Sequence, residues 1–203
     1  MQIKAKPKFH VLIHNITKPL NHGMLLRSAA AFNLDTVFLV AKNYEEKKKS
    51  KIFKQFRLFF GDKGTSKKLK YRVFQSIKQA NEYFKEQGIY VCGVEITKDS
   101  KNIFDEPFTG ETVFIMGNEG EGLIPALKEI CDYFVYIPQY TDKTASLNVS
   151  VAGSIIFHHF AHWADYQEGM ITGEKFQDQS NKKKNVFLDF VIHGQEEAKK
   201  KEE

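Results

Sequence analysis

Short, largely apolar runs recur along this chain with helix-like segments between them, and that alternation restricts the fold more than any other feature. The runs are Phe9–Ile16, Thr36–Val40, Tyr71–Phe74, Tyr90–Ile96, Thr112–Met116 and Tyr133–Ile137. They are rich in β-branched and aromatic residues, which suit strands. Most are apolar on successive residues, as strands covered on both faces are. Between them, Asn21–Phe32 reads as a helix entered through a turn at Pro19 and Gly23. Ser76 predicts the cap of a helix that runs through Gln87 and ends at Gly88. Gly122–Ile130 reads as a helix with Pro125 in its first turn, and Ser146–Tyr166 as a long one. The pattern predicts an α/β fold, a mostly parallel sheet with helices on both faces. Ligands of such sheets bind beyond the carboxyl ends of the strands. Three unusual segments are expected there: Asn21–Arg27, Gly117–Gly122 and Gln139–Asn148.

The 203 residues suffice for one ordinary domain, expected over 1–167. From Glu168 to Lys184 the chain is polar, and Glu196–Glu203 is almost all charge. Residues 168–203 therefore read as a charged tail, in which the apolar Val186–Ile192 could dock. Lys4, Lys6 and Lys8 have no apolar run behind them, so no signal peptide is predicted. Val149–Trp163 is the longest apolar stretch, but polar residues interrupt it too often for a bilayer span. Two distant cysteines, Cys92 and Cys131, support neither a disulfide framework nor a zinc site. The expectation is a cytoplasmic protein, with the nucleus as the alternative.

Charge is unevenly distributed. Lys42–Lys70 holds eleven lysines or arginines against three acids, a local +8 in a chain of net +5. A basic block on an otherwise slightly acidic chain predicts a polyanion partner. A solvated loop is the bland alternative. Lys47, Lys48, Lys49, Lys51, Lys54 and Arg57 are the candidate phosphate contacts.

Phe114–Leu123 leaves a buried run into a loop containing Gly117, Gly120 and Gly122. Glycines let a backbone approach a ligand closely. No Gly-Lys-Ser/Thr follows, and Glu119 and Glu121 would repel phosphate, so this is not a phosphate loop. Neither do these glycines have the spacing of the dinucleotide fingerprint. An acidic glycine loop suits a ligand with hydroxyl and amine donors. Arg27, six residues after Asn21, offers planar charged donors for phosphate or a developing oxyanion. Ser146 can cap the long helix, with Asn148 facing the same cleft. Taken singly, each segment has a plain structural explanation: a turn, a surface ion pair, a cap.

Taken in order, Asn21-His-Gly-Met-Leu-Leu-Arg-Ser-Ala29, Gly117-Asn-Glu-Gly-Glu-Gly-Leu123 and Ile137-Pro138 with Ser146-Leu-Asn-Val-Ser-Val-Ala152 resemble the three motifs of the SpoU/TrmH branch of the SPOUT methyltransferases. The likeness covers roughly residues 9–166. It implies an S-adenosyl-L-methionine-dependent methyltransferase acting on a ribose 2′-hydroxyl of RNA, with tRNA favoured over rRNA. It also implies a deep C-terminal trefoil knot and a homodimer whose active site the neighbouring subunit completes. By the resemblance, Met116, Gly117, Asn118, Gly120, Ile137, Ser146 and Leu147 surround the cofactor. Asn21, Arg27, Glu119, Ser146 and Asn148 form the catalytic site. A non-catalytic RNA-binding protein on the same scaffold is the alternative, and retention of all five argues against it. Gln139–Ala145 departs from the family in lacking a glycine and in being about a residue longer, which bears on the adenine rim. Without a counterpart expected for the separate N-terminal RNA-binding domain of some relatives, RNA grip is expected from a dimer, the basic block or the tail.

An arginine stays protonated in proteins, so Arg27 is expected to hold the target phosphate and stabilise an alkoxide rather than act as base. His158 and His162 share a helix face, with His159 beside them, but no third ligand follows the metal pattern. No metal and no membrane contact are expected.

Overall fold

The structure, a computed structural model, describes residues 5–14, 19–41, 64–118, 120 and 122–169. The strands are β1 (Phe9–Ile13), β2 (Thr36–Val40), β3 (Lys70–Phe74), β4 (Tyr90–Val94), β5 (Lys101–Asn102), β6 (Thr112–Met116) and β7 (Tyr133–Tyr136). The α-helices are α1 (Pro19–Ala31), α2 (Ile77–Gln87), α3 (Pro125–Lys128) and α4 (Val149–Trp163). Among the described residues the strands form one seven-stranded sheet, ordered β3-β2-β1-β6-β4-β7-β5. Every pairing in it is parallel. This is the α/β class expected from the alternation.

Strand pleating divides the core into two layers. Phe9, Val11 and Ile13 of β1 join Phe114 and Met116 of β6 in one buried cluster with Leu25, Leu26, Phe157 and Phe160 of α1 and α4. Leu12, Val113 and Ile115 join the opposite cluster with Phe38, Phe74, Phe84 and Leu127. Both faces of the central strands are therefore covered, which is why their sequences are apolar throughout.

Helix ends follow local chemistry. Ser76 Oγ accepts the Gln79 N–H at 3.1 Å and Gly88, at φ 66°, closes α2, as the sequence predicts. Three expectations need correction. Pro19 and Gly23 form no turn ahead of a helix but belong to α1 itself, which runs Pro19–Ala31. The helix expected over Gly122–Ile130 is only Pro125–Lys128, because Gly122 is paired antiparallel with Asn118 and cannot begin a helix. The long helix begins at Val149 and not Ser146, since Asn148 is its cap. The two-residue β5 goes unpredicted, because so short a strand carries no alternation.

Gly153 brings α1 and α4 together: a Cβ there would overlap the Leu25 side chain. The Ser28 and Ser154 hydroxyls hydrogen-bond across the same contact at 2.8 Å. His158 and His159 pack edge-on against Phe32 and Phe104, and His162 is 3.9 Å from Glu106. Among the described residues no three His, Cys, Asp or Glu are placed to hold a metal, and no helix is long and apolar enough to cross a membrane. The tail expected from residue 168 falls, after Gly169, outside the described residues.

Candidate active site

Beyond the carboxyl ends of β4 and β6, where a parallel sheet places its ligands, the chain leaves a cavity of about 270 Å³. Its lining comes from four stretches: Asn21; Val94 and Glu95; Met116–Asn118 with Gly122; and Ser146–Val149 with Ala152.

Backbone geometry shapes the glycine loop. Asn118 N–H donates to Gly122 O at 2.9 Å, and Gly122 N–H returns to Asn118 O at 3.0 Å. The Asn118 side-chain oxygen accepts the Gly120 N–H at 2.7 Å. A Cβ on Gly117 would sit 3.1 Å from the Gly122 Cα, so the loop packs tightly against itself at these two glycines. Gly122 also has φ 66°, a left-handed conformation that favours glycine.

The second wall is the start of α4. Asn148 Oδ1 accepts the Ser150 N–H at 2.9 Å and its hydroxyl at 2.6 Å, satisfying a helix-end donor. Its Nδ2 donates to Asn21 Oδ1 at 3.1 Å, so one asparagine both caps α4 and fixes the residue entering from α1. Thr144 Oγ1 donates to Ser146 O at 2.9 Å and steadies the approach to this corner.

Asn21, Met116, Gly117, Asn118, Ser146, Leu147 and Asn148 thus share one cavity. Gly120 is exposed and does not line it; Ile137, after β7, packs on the core instead. Arg27 is exposed on α1 and does not line it either. Six residues turn a helix by about 600°, leaving Arg27 roughly 120° around from Asn21. Glu119 and the basic residues Lys47, Lys48, Lys49, Lys51, Lys54 and Arg57 lie outside the described residues.

Sequence reasoning missed Glu95. It follows β4 directly, and its Oε2 accepts the Leu123 N–H at 3.1 Å. The available signal was a lone acid at the carboxyl end of a buried strand.

Strongly perturbed titrating groups are elsewhere. His10, 3% exposed, is lowered by burial, against the opposing Glu111 hydrogen bond at 2.9 Å, near the amino end of β1 and away from the carboxyl ends that carry the cavity. Burial, with the Asp132 charge adding to it, pushes the Cys131 thiol up to about 12, and burial also raises Cys92 strongly. These are packing thiols, not nucleophiles.

Comparison with known proteins gives the family. Residues 8–158 match the SpoU rRNA Methylase family. A relative from Aquifex aeolicus, named tRNA (guanosine(18)-2′-O)-methyltransferase, is 39% identical over 75 residues, covering 37% of this chain and 35% of its own. Another from Neisseria meningitidis, named 23S rRNA (guanosine-2′-O-)-methyltransferase RlmB, is 25% identical over 152 residues, 75% of this chain and 57% of its own. The chain therefore spans only about a third to three-fifths of these relatives. Among solved structures, the SpoU methyltransferase AviRb from Streptomyces viridochromogenes, crystallised with AdoMet, superposes with TM-score 0.64 at 23% identity, covering 79% of this chain and 62% of that one. The chain belongs to the SpoU rRNA methylase family.

Proposed function

We propose that the chain is an S-adenosyl-L-methionine-dependent methyltransferase that modifies a ribose 2′-hydroxyl of RNA, with tRNA the preferred substrate. The observation that carries this reading is the convergence of Asn21, Met116–Asn118, Gly122 and Ser146–Asn148 on one cavity. Backbone amides and carbonyls, a glycine pair with no room for a Cβ and amide side chains fit a ligand rich in hydroxyl and amine donors. Met116, Gly117, Asn118, Ser146 and Leu147 are assigned to the cofactor on this basis, and Gly120 and Ile137 through resemblance alone. The tRNA preference draws on the name of the Aquifex aeolicus relative, 39% identical over 75 residues.

When bound, the cofactor supplies an electrophilic methyl on a sulfonium. This chain's residues must then present a hydroxyl in line and dispose of its proton. Asn148, fixed by its contacts to Ser150 and Asn21, positions the target ribose with Ser146, a task the resemblance also gives to Glu119. The Arg27 guanidinium holds the target phosphate and stabilises the alkoxide, while the proton leaves to a phosphate oxygen or water. Alignment alone can supply up to roughly 7–11 kcal/mol of the barrier reduction.

Arg27 shares an exposed face of α1 with Leu20 and Met24, four and three residues apart. At the start of α4, Leu147 and Val151 are exposed as well. These apolar side chains support a homodimer in which Arg27 enters the neighbouring subunit's cavity. A deep trefoil knot formed by the C-terminal part of the sheet, and a cytoplasmic location, belong to the same proposal.

Transfer of tritium from labelled S-adenosylmethionine to total RNA, separated into tRNA and rRNA, tests the reading. Label in tRNA is expected. Label in rRNA alone would reassign the substrate, and no label in any RNA, with cofactor binding intact, would leave a non-catalytic RNA-binding protein.

A further inference from the structure

Glu95 contributes the one ionisable side chain among the described residues lining the cavity; the others are amides, hydroxyls, glycines and apolar groups. Its carboxylate is half-buried and held by two backbone donors. Oε2 accepts from Leu123 N–H at 3.1 Å, and Oε1 accepts from Ile96 N–H at 3.3 Å. Gly122 leaves it room, since a Cβ there would overlap Oε2. A fixed negative charge thus sits in the cavity wall, the only charged lining among the described residues.

The proposed cofactor changes charge during its reaction. S-adenosylmethionine carries a sulfonium, and S-adenosylhomocysteine, left after the methyl goes, carries a neutral thioether. The overall change balances: hydroxyl plus sulfonium gives methyl ether, thioether and one released proton. We infer that Glu95 is a specificity residue that makes the cavity prefer the charged methyl donor to its neutral product. The inference rests on the cofactor reading above and assigns it a charge-sensing group.

Magnitude supports the inference. A volume of 270 Å³ equals a sphere about 8 Å across. At that separation two unit charges attract by a few times thermal energy at an effective dielectric of about 20. A hydrogen bond to a ribose or amine would act on both forms of the cofactor, whereas charge acts on one. Loss of that attraction at the sulfur when the methyl departs also favours product release.

Calorimetry on the full chain with S-adenosylmethionine, S-adenosylhomocysteine and sinefungin, whose protonated amine replaces the methyl sulfonium, separates these effects. Glu95→Gln keeps an oxygen acceptor for Leu123 but removes the charge. It is expected to weaken S-adenosylmethionine and sinefungin about tenfold while S-adenosylhomocysteine changes by less than about threefold. Parallel weakening of all three would make Glu95 only a support for the glycine loop and overturn the inference, as would no change. Should Glu95→Gln fail to fold, Glu95→Asp serves: all three ligands weaken together and the preference for the cations persists. Loss of that preference with the charge retained would overturn it too. A wild-type chain that binds none of the three would instead defeat the cofactor reading itself.

Discussion

Arg27 is exposed on α1 and does not line the cavity that Asn21 lines, and the proposed reading brings it in from a neighbouring subunit. If it acts on RNA phosphate and the alkoxide, it should matter little to cofactor affinity. Arg27→Ala is expected to leave S-adenosylmethionine affinity within a few-fold and to slow single-turnover methyl transfer by roughly two to three orders of magnitude, as loss of one oxyanion donor does. Arg27→Lys keeps the charge without the planar fork and should restore RNA binding better than turnover. Wild-type rates in Arg27→Ala at saturating RNA would reduce Arg27 to a surface residue. Sequence gave the identities of this site more readily than their arrangement. Asn148, not Ser146, caps α4, since both are good cap residues and only the loop path from Thr144 decides between them. Glu95 escaped notice because its partner Leu123 is 28 residues away, and no short motif records that pairing.

Elements were legible where one local rule governed them. Runs such as Thr36–Val40 and Thr112–Met116 are strands at the predicted bounds, because four successive apolar residues after a threonine suit a sheet covered on both faces. Ser76 and Gly88 marked α2 for the same reason. Expectation failed where a long-range contact overrode local preference: the Asn118–Gly122 pairing cuts α3 to four residues although Pro125 is a good first-turn residue. The basic segment Lys42–Lys70 links β2 to β3, and its proposed role concerns RNA affinity, not catalysis. Binding should weaken with salt by a slope of about 0.9 per phosphate neutralised on a duplex. Replacing Lys47, Lys48, Lys49 and Lys51 by Ser should flatten that slope in a filter-binding titration without altering cofactor affinity. An unchanged slope would make the segment a solvated loop.

For the whole molecule, the α/β fold and the family follow from the chain itself, while the proposed shared site calls for a second copy. A shared site predicts complementation. Arg27→Ala and Asn148→Ala, each inactive alone, should recover about a quarter of wild-type activity when refolded together, because half the dimers are mixed and each mixed dimer has one intact site. Absence of recovery would place both residues in the same subunit's site. The central claim is chemical: the methyl goes to a ribose 2′-oxygen. A methylated 2′-oxygen cannot attack its own phosphodiester, so alkali leaves that linkage uncut. RNA labelled with tritium from S-adenosylmethionine and then digested in alkali should release its label in alkali-stable dinucleotides. Label recovered in single nucleotides would mean that a base is methylated and would contradict the account.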